Sequence, residues 1–138
     1  MPKGTHNSTL PGCGFHHISI QTVDFDAALR FYRDTLGMRE HQPFEVGGRR
    51  FVLLDCGDGS FVELQEPEGG TPIPSETVPL AHFALAAADT RAAVEMVRQA
   101  GCPITMEPKQ VNLGGKLQAV VSFFTGPNGE SVELFQEL

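Results

Sequence analysis

The amino-acid sequence predicts an α+β fold built from two tandem βαβββ modules. The first half of the chain shows the pattern of one strand, one helix and three further strands. A stretch rich in Pro and Gly at 67–79 interrupts this pattern. The pattern then starts again, so that LAHFALAAADTRAAVEMVRQAG at 80–101 repeats FHHISIQTVDFDAALRFYRDTLG at 15–37. A repeat of this length predicts a duplicated structural unit.

The first strand and helix of module one (14–66) are predicted from periodicity and capping. Residues 15–23 alternate in polarity and are rich in β-branched and aromatic types, which favours a strand. The helix that follows carries an apolar stripe and has Asp24 or Asp26 available as its N-cap. Gly37 stands where a glycine commonly ends a helix.

The other strands of module one are separated by glycine-containing turns. The segments HQPFEV and RRFVLLDC are joined at Gly47-Gly48, a dipeptide expected in a two-residue hairpin. A second Gly-rich turn leads into the closing strand FVELQE at 61–66. SVELFQE at 131–137 shares the Val-Glu-Leu of that strand and is predicted to close module two (80–137).

The two modules are predicted to form one domain at 14–138. Residues 67–79 between them are predicted to be a linker, because a segment with so many prolines suits neither a helix nor a central strand. Residues 1–13 contain Pro and Gly without any periodicity, which predicts an N-terminal tail.

Composition argues against several classes of function. With 41% hydrophobic and 20% charged residues, the 138-residue chain is typical of globular domains. Its net charge of −7, without a basic run, argues against nucleic acid or an anionic membrane as partner. No apolar run reaches the roughly 18 residues of a membrane span and no signal-peptide pattern is present, so a cytoplasmic location is expected. Three cysteines without CxxC spacing are expected to be reduced thiols.

Strand alternation distinguishes the two adjacent histidines at the start of module one. His17 falls on the same face of its strand as Ser19, whereas His16 falls on the opposite face. The repeat aligns His17, and not His16, with His82. The larger apolar residues of each strand are expected to pack against the helix of their module, so His17 and His82 should point to the other side of the sheet.

The same alternation places two glutamates with these histidines. Glu63 and Glu133 are the central residues of the two Val-Glu-Leu segments, and their apolar neighbours belong on the helix side. Two imidazoles and two carboxylates at repeated positions form a plausible ligand set for one divalent ion. The candidate metal ligands are therefore His17, Glu63, His82 and Glu133. We expect Ni²⁺, Zn²⁺ or Co²⁺, with Fe²⁺ or Mn²⁺ as alternatives.

Paired modules that open with HHISIQTVDFDAALRFYRDTLGM and close with PNGESVELFQ resemble the vicinal oxygen chelate superfamily. This superfamily includes glyoxalase I, methylmalonyl-CoA epimerase, extradiol dioxygenases and small-molecule resistance proteins. The resemblance covers about 14–137 and implies cupped mixed β-sheets of the glyoxalase type. It also implies metal ligands on the first and last strands of each module, the four residues named above, and a homodimer.

Four protein ligands resemble glyoxalase I (lactoylglutathione lyase) and the epimerase more than the dioxygenases, which use three. The resemblance therefore implies a metal-dependent carbon–sulfur lyase or isomerase that acts through a metal-bound enediolate. The alternatives left open are a methylmalonyl-CoA epimerase-like isomerase, an extradiol-type dioxygenase and a non-enzymatic protein that binds a small molecule. Whether the site forms within one chain or across a dimer also stays open.

Two further roles are implied by the resemblance. Glu133 is the first choice for the base that moves the proton, with Glu63 as its partner, although the sequence does not rank the two. The expected substrate is a glutathione hemithioacetal or another α-hydroxycarbonyl or thioester compound, whose carboxylates would need cations at the cleft rim. The candidate substrate-binding cations are Arg39, Arg49, Arg50, Lys109 and Lys116.

Overall fold

The computed structural model describes residues 4–67, 69, 80–127 and 129–138. The chain divides into two compact units, of which the first is His17–Ala81 and the second joins the N-terminal residues up to His16 to His82–Leu138. The predicted linker at 67–79 lies outside the described residues except at Pro67 and Gly69. Among the helices in the described part of the chain, none is long and apolar enough to cross a membrane.

Module one has the predicted order of one strand, one helix and three strands. Its elements are β1 (Gly14–Gln21), α1 (Phe25–Arg30), a π-helical turn (Phe31–Thr35), β2 (Arg39–Val46), β3 (Arg49–Asp55) and β4 (Phe61–Gln65). The strand order is β2-β3-β4-β1. β1 runs parallel to β4, and the β2/β3 and β3/β4 pairs are antiparallel, so the sheet is mixed.

Helix α1 packs its apolar residues onto one face of this sheet. Phe25, Val52, Leu54 and Leu64 form a buried cluster against which Ile20 and further helix residues pack. This confirms that Leu64 lies on the helix side, as the alternation of β4 predicts. Because only the odd or the even residues of a strand can share a face, Glu63 belongs to the opposite side.

Local sequence signals explain where the helix and hairpin of this unit begin and end. The Asp24 carboxylate accepts a hydrogen bond from the Ala27 N–H at 3.0 Å and so caps α1. The predicted helix then loosens into the π-helical turn, in which the Leu36 N–H donates to the Phe31 carbonyl. The hairpin turn between β2 and β3 is confirmed at Gly47-Gly48, where both φ angles are positive.

Module two repeats the order of module one. Its elements are β5 (Leu80–Ala86), α2 (Thr90–Gln99), β6 (Ile104–Leu113), β7 (Leu117–Thr125) and β8 (Ser131–Glu137). The strand order is β5-β8-β7-β6, with β5 parallel to β8 and the other pairs antiparallel. Leu134 packs with Ala93 and Val94 of α2, which is the counterpart of the contact made by Leu64. The predicted α+β fold of two βαβββ modules is confirmed.

The residues predicted to be a tail make defined contacts with the second unit. Gly4 and Gly12 pair through an isolated antiparallel bridge. Leu10 packs against the second core, and the Pro11 carbonyl accepts a hydrogen bond from the Ala88 N–H at 2.8 Å. These contacts explain why the N-terminal residues group with module two, the part of the chain farthest from them in sequence.

Candidate functional site

The first unit brings together His17 and Glu63, which come from the parallel strands β1 and β4. The His17 Nε2 lies 3.9 Å from the Glu63 Oε2. Both residues are buried, with 1% and 6% of their surface exposed. The register sets Ser19 directly opposite Glu63, so that these two side chains leave the sheet on the same side.

The second unit brings together His82 and Glu133 in the corresponding way. These residues come from the parallel strands β5 and β8, and the His82 Nε2 lies 3.1 Å from the Glu133 Oε1. Ala84 occupies the register position opposite Glu133. The Phe123 ring stands edge-on to the His82 ring, with centroids 5.0 Å apart, and limits the orientations open to the imidazole.

Each pair has the chemistry and spacing of two ligands to a divalent cation. Imidazole nitrogen and carboxylate oxygen are both common ligands of borderline divalent ions. Two atoms that each lie about 2.0–2.2 Å from a shared ion are separated by roughly 3–4 Å, depending on the angle between them. The distances of 3.9 Å and 3.1 Å fall in this range. The residues of each unit therefore fit a metal as donors.

A chain of polar side chains lies behind Glu63. The Ser19 hydroxyl donates to the Glu63 Oε1 at 2.7 Å, and the Gln65 amide donates to the Ser19 Oγ at 2.6 Å. The Arg49 guanidinium in turn donates to the Gln65 Oε1 and to the Glu66 carbonyl. Sequence reasoning placed Ser19 on the face of His17 but gave it no role, and it did not single out Gln65.

His16 has a defined environment of its own. Its Nε2 lies 2.8 Å from the Glu137 Oε1, and its ring stacks on Phe135 with centroids 4.0 Å apart. Only 1% of His16 is exposed, the same fraction as for His17. Both adjacent histidines are thus buried, but His16 pairs with Glu137 of the second unit and His17 pairs with Glu63 of the first. Alternation alone gave no partner for His16, because its contact with Glu137 joins two strands that are far apart in the sequence.

The comparison with protein-family models decides the family. Residues 14–134 match the model of the Glyoxalase/Bleomycin resistance protein/Dioxygenase superfamily, which is nearly the whole chain. The chain belongs to this superfamily. The vicinal oxygen chelate fold and the resemblance predicted from the sequence are thereby confirmed.

Relatives within the superfamily carry the names of enzymes. The chain is 29% identical over 125 residues to the lactoylglutathione lyase of Haemophilus influenzae, and the match covers 87% of this chain and 90% of that protein. It is also 29% identical over 127 residues to a lactoylglutathione lyase of Arabidopsis thaliana. That match covers 88% of this chain but 44% of the plant protein, so the chain spans less than half the length of this relative.

A solved structure supports the same fold at lower identity. Methylmalonyl-CoA epimerase from Mycobacterium tuberculosis superposes with a TM-score of 0.78. The superposition covers all of this chain and 96% of the epimerase, at 20% sequence identity. At this identity the likeness concerns the fold.

The cations predicted to bind substrate differ in their exposure and in their contacts with other residues of the protein. Arg49 contacts Gln65 and Glu66, as described above. Arg39 is exposed and lies 4.0 Å from Asp55, the outer limit of an ion pair. Lys109 on β6 and Lys116 in the turn before β7 are both exposed.

Arg50 instead connects the start of α1 to the end of β4. Its guanidinium lies 3.0 Å from the Asp26 carboxylate and 3.2 Å from the Glu66 carboxylate, and it stacks over the Phe25 ring. The hydrogen bond from Arg50 lowers the pKa of the Asp26 carboxyl. The pKa of Glu66 is lowered mainly by the hydrogen bond from the Arg50 main-chain N–H, with the side chain adding to it. Arg50 thus links helix α1 to the end of β4 within module one.

Proposed function

We propose that this protein is a metal-dependent lyase or isomerase of the glyoxalase I type, with lactoylglutathione lyase activity as the leading candidate. The observation that supports this most is the occurrence of a His–Glu pair at corresponding strand positions of both modules, with His17, Glu63 and Glu133 buried and His82 partly exposed. Membership of the superfamily and the enzyme names of relatives at 29% identity support it further. The proposed substrate is a glutathione hemithioacetal.

The proposed metal ligands are His17 and Glu63 from the first unit, with His82 and Glu133 from the second. Two neutral imidazoles and two carboxylates would give a site whose charge balances that of a divalent ion, which offsets much of the cost of burying the carboxylates. A bound divalent ion supplies Lewis acidity, which stabilises negative charge that develops on two adjacent substrate oxygens. Ni²⁺, Zn²⁺ and Co²⁺ suit this donor set.

The proton transfer is proposed to use the two carboxylates. In an α-hydroxycarbonyl compound the proton on the carbon next to the carbonyl must leave, and a proton must return to the neighbouring carbon. We assign the first role to Glu133 and treat Glu63 as its partner. A general base that acts in this way accelerates a reaction by typically about 10²–10⁴-fold.

The exposed cations Arg39, Lys109 and Lys116 are proposed to contribute to binding the carboxylates of the substrate, together with the Arg49 side chain. A homodimer and a cytoplasmic location complete the proposal, and the three free cysteines are in keeping with a reducing compartment.

A chelation experiment tests this function. The purified protein is treated with a chelator and assayed for conversion of the glutathione hemithioacetal to lactoylglutathione, before and after addition of Ni²⁺, Co²⁺ or Zn²⁺. We expect activity to disappear on chelation and to return with at least one of these ions. Full activity after verified metal removal would contradict the proposal. Activity towards methylmalonyl-CoA alone would assign the protein to the epimerases instead.

A further inference from the structure

The hydrogen bonds behind Glu63 all point in one direction. Arg49 donates to the Gln65 side-chain Oε1, the Gln65 side-chain Nε2 donates to the Ser19 Oγ, and the Ser19 hydroxyl donates to the Glu63 Oε1. Ser19 has a single proton, which this arrangement commits to the carboxylate. Its oxygen can accept from Gln65 at the same time because a hydroxyl has lone pairs as well as one donor.

Burial and further hydrogen bonds hold each side chain in this series of hydrogen bonds in place. Ser19, Glu63 and Gln65 are 0%, 6% and 5% exposed. Ser19 and Glu63 are direct partners in the β1/β4 register. Gln65 follows two residues after Glu63 on β4 and therefore lies on the same face of that strand. Arg49 is anchored by two hydrogen bonds to the Glu66 carbonyl, at 3.1 and 2.9 Å. The carboxylate of Glu63 is therefore oriented by groups that are themselves fixed.

We propose that Ser19, Gln65 and Arg49 are positioning residues. Their hydrogen bonds hold the Glu63 carboxylate at its Oε1 and so orient it to serve as a metal ligand. This inference rests on the proposed function, because it concerns one of the proposed ligands. The hydrogen bond at Oε1 leaves Oε2 as the atom on the side of His17, at 3.9 Å from its Nε2. A carboxylate oriented in advance loses less conformational freedom when it binds an ion.

Module two has a different set of residues at the same positions. The residue opposite Glu133 is Ala84, in place of Ser19 opposite Glu63. The residue two positions after Glu133 is Phe135, in place of Gln65. Neither alanine nor phenylalanine has a side-chain donor, so the donor chain of module one is not repeated in module two. The two carboxylates are thereby given different surroundings by the two copies of the repeat.

The affinity for Co²⁺ tests this inference in the full-length protein. It is measured by competition with a chromophoric chelator for the wild type and for Ser19→Ala, Ser19→Thr and Ser122→Ala. Ser122 is the matched control, because it is also a fully buried serine but donates to the Met106 carbonyl, at 2.8 Å. The thermal midpoint of each metal-free variant reports any loss of fold. The visible spectrum of bound Co²⁺ reports changes in the ligand set.

Ser19→Ala is expected to weaken Co²⁺ binding by about tenfold, in line with the usual effect of removing a hydrogen bond behind a metal ligand. Ser19→Thr keeps the hydroxyl and is expected to restore the affinity to within about threefold of the wild type. Ser122→Ala should lower the thermal midpoint without changing the affinity. In a Glu63→Gln background, Ser19→Ala should have no further effect, because the carboxylate that it orients is already absent.

Four results would overturn the inference. Unchanged affinity in Ser19→Ala contradicts it while the proposed function stands, as does an undiminished effect of that substitution in the Glu63→Gln background. An equal loss of affinity in Ser122→Ala would show that a general loss of stability is responsible. A wild-type protein that binds no Co²⁺, Ni²⁺ or Zn²⁺ would overturn both this inference and the proposed function.

Discussion

The two modules share a backbone plan but differ in what surrounds their glutamates. In each module a histidine on the first strand and a glutamate on the last strand lie within 4 Å of each other. The glutamate of module one receives a hydrogen bond from a serine on the neighbouring strand, where module two has an alanine. The two pairs thus correspond in strand position but differ in the side chains that can donate a hydrogen bond to the glutamate.

The largest expected effect separates the two glutamates by their roles in the reaction. Glu133→Gln should lower kcat by about 10²–10⁴-fold, because an amide cannot accept the proton that the base removes. Glu63→Gln should act mainly by weakening metal binding, so that added metal recovers part of its activity. Steady-state kinetics with metal content measured on the same samples check both expectations. Full activity of Glu133→Gln would remove it as the base, and identical behaviour of the two variants would end the distinction.

The next expected effect concerns the two cores, where the modules should behave alike. Leu64→Ala and Leu134→Ala each remove a leucine that is at most 1% exposed and packs against the helix of its module. Each substitution should lower the free energy of unfolding by about 2–5 kcal/mol, because it creates a cavity. Denaturant unfolding measures this. A cost well below 1 kcal/mol at one site only would show that the two cores are not equivalent.

The helix caps should give a smaller effect. Asp24 and Asp89 accept hydrogen bonds from the Ala27 and Ala92 N–H groups, at 3.0 and 3.1 Å. Replacing either aspartate with alanine should cost about 1 kcal/mol. Replacement with asparagine, which also caps helices well, serves as the control and should cost less than alanine. Thermal unfolding distinguishes these outcomes, and equal costs for alanine and asparagine would argue against capping.

The smallest expected effect belongs to Arg50 of module one, which pairs with Asp26 and Glu66. The pKa values of Asp26 and Glu66 are lowered in the folded protein, so their pairing with Arg50 adds stability above the ordinary carboxyl pKa values. That contribution is lost as the pH falls through the lowered values. Arg50→Gln should therefore destabilise the protein slightly at pH 7, and less in high salt. Its unfolding midpoint should converge with that of the wild type below about pH 4; a constant difference at all pH values would contradict this reading.

Most of the features of the fold that could be predicted from the sequence were predicted from its internal repeat. Its alternation placed Leu64 and Leu134 in the cores, and its capping and hairpin signals were confirmed at Asp24 and Gly47-Gly48. These features depend on local chemistry or on a period of two, which a single sequence displays directly.

Features that depend on strand register could not be predicted. The contact from Ser19 to Glu63 joins residues on strands that are parallel neighbours only in the folded chain. The same holds for His16, which the alternation placed only on the face opposite His17 and which is buried beside Glu137 on β8. The π-helical turn after Arg30 arises within an ordinary helical pattern and has no marker in the sequence.

The central claim is that the His–Glu pairs of the two modules bind one metal ion. It is tested most directly by Ni²⁺ titration of metal-free wild-type protein, His17→Ala, His82→Ala and the double variant. We predict one ion per wild-type chain, a large loss of affinity in each single variant, and strong non-additivity in the double variant because one ion depends on both histidines. Independent binding, in which each single variant keeps a site of unchanged affinity, would contradict the account.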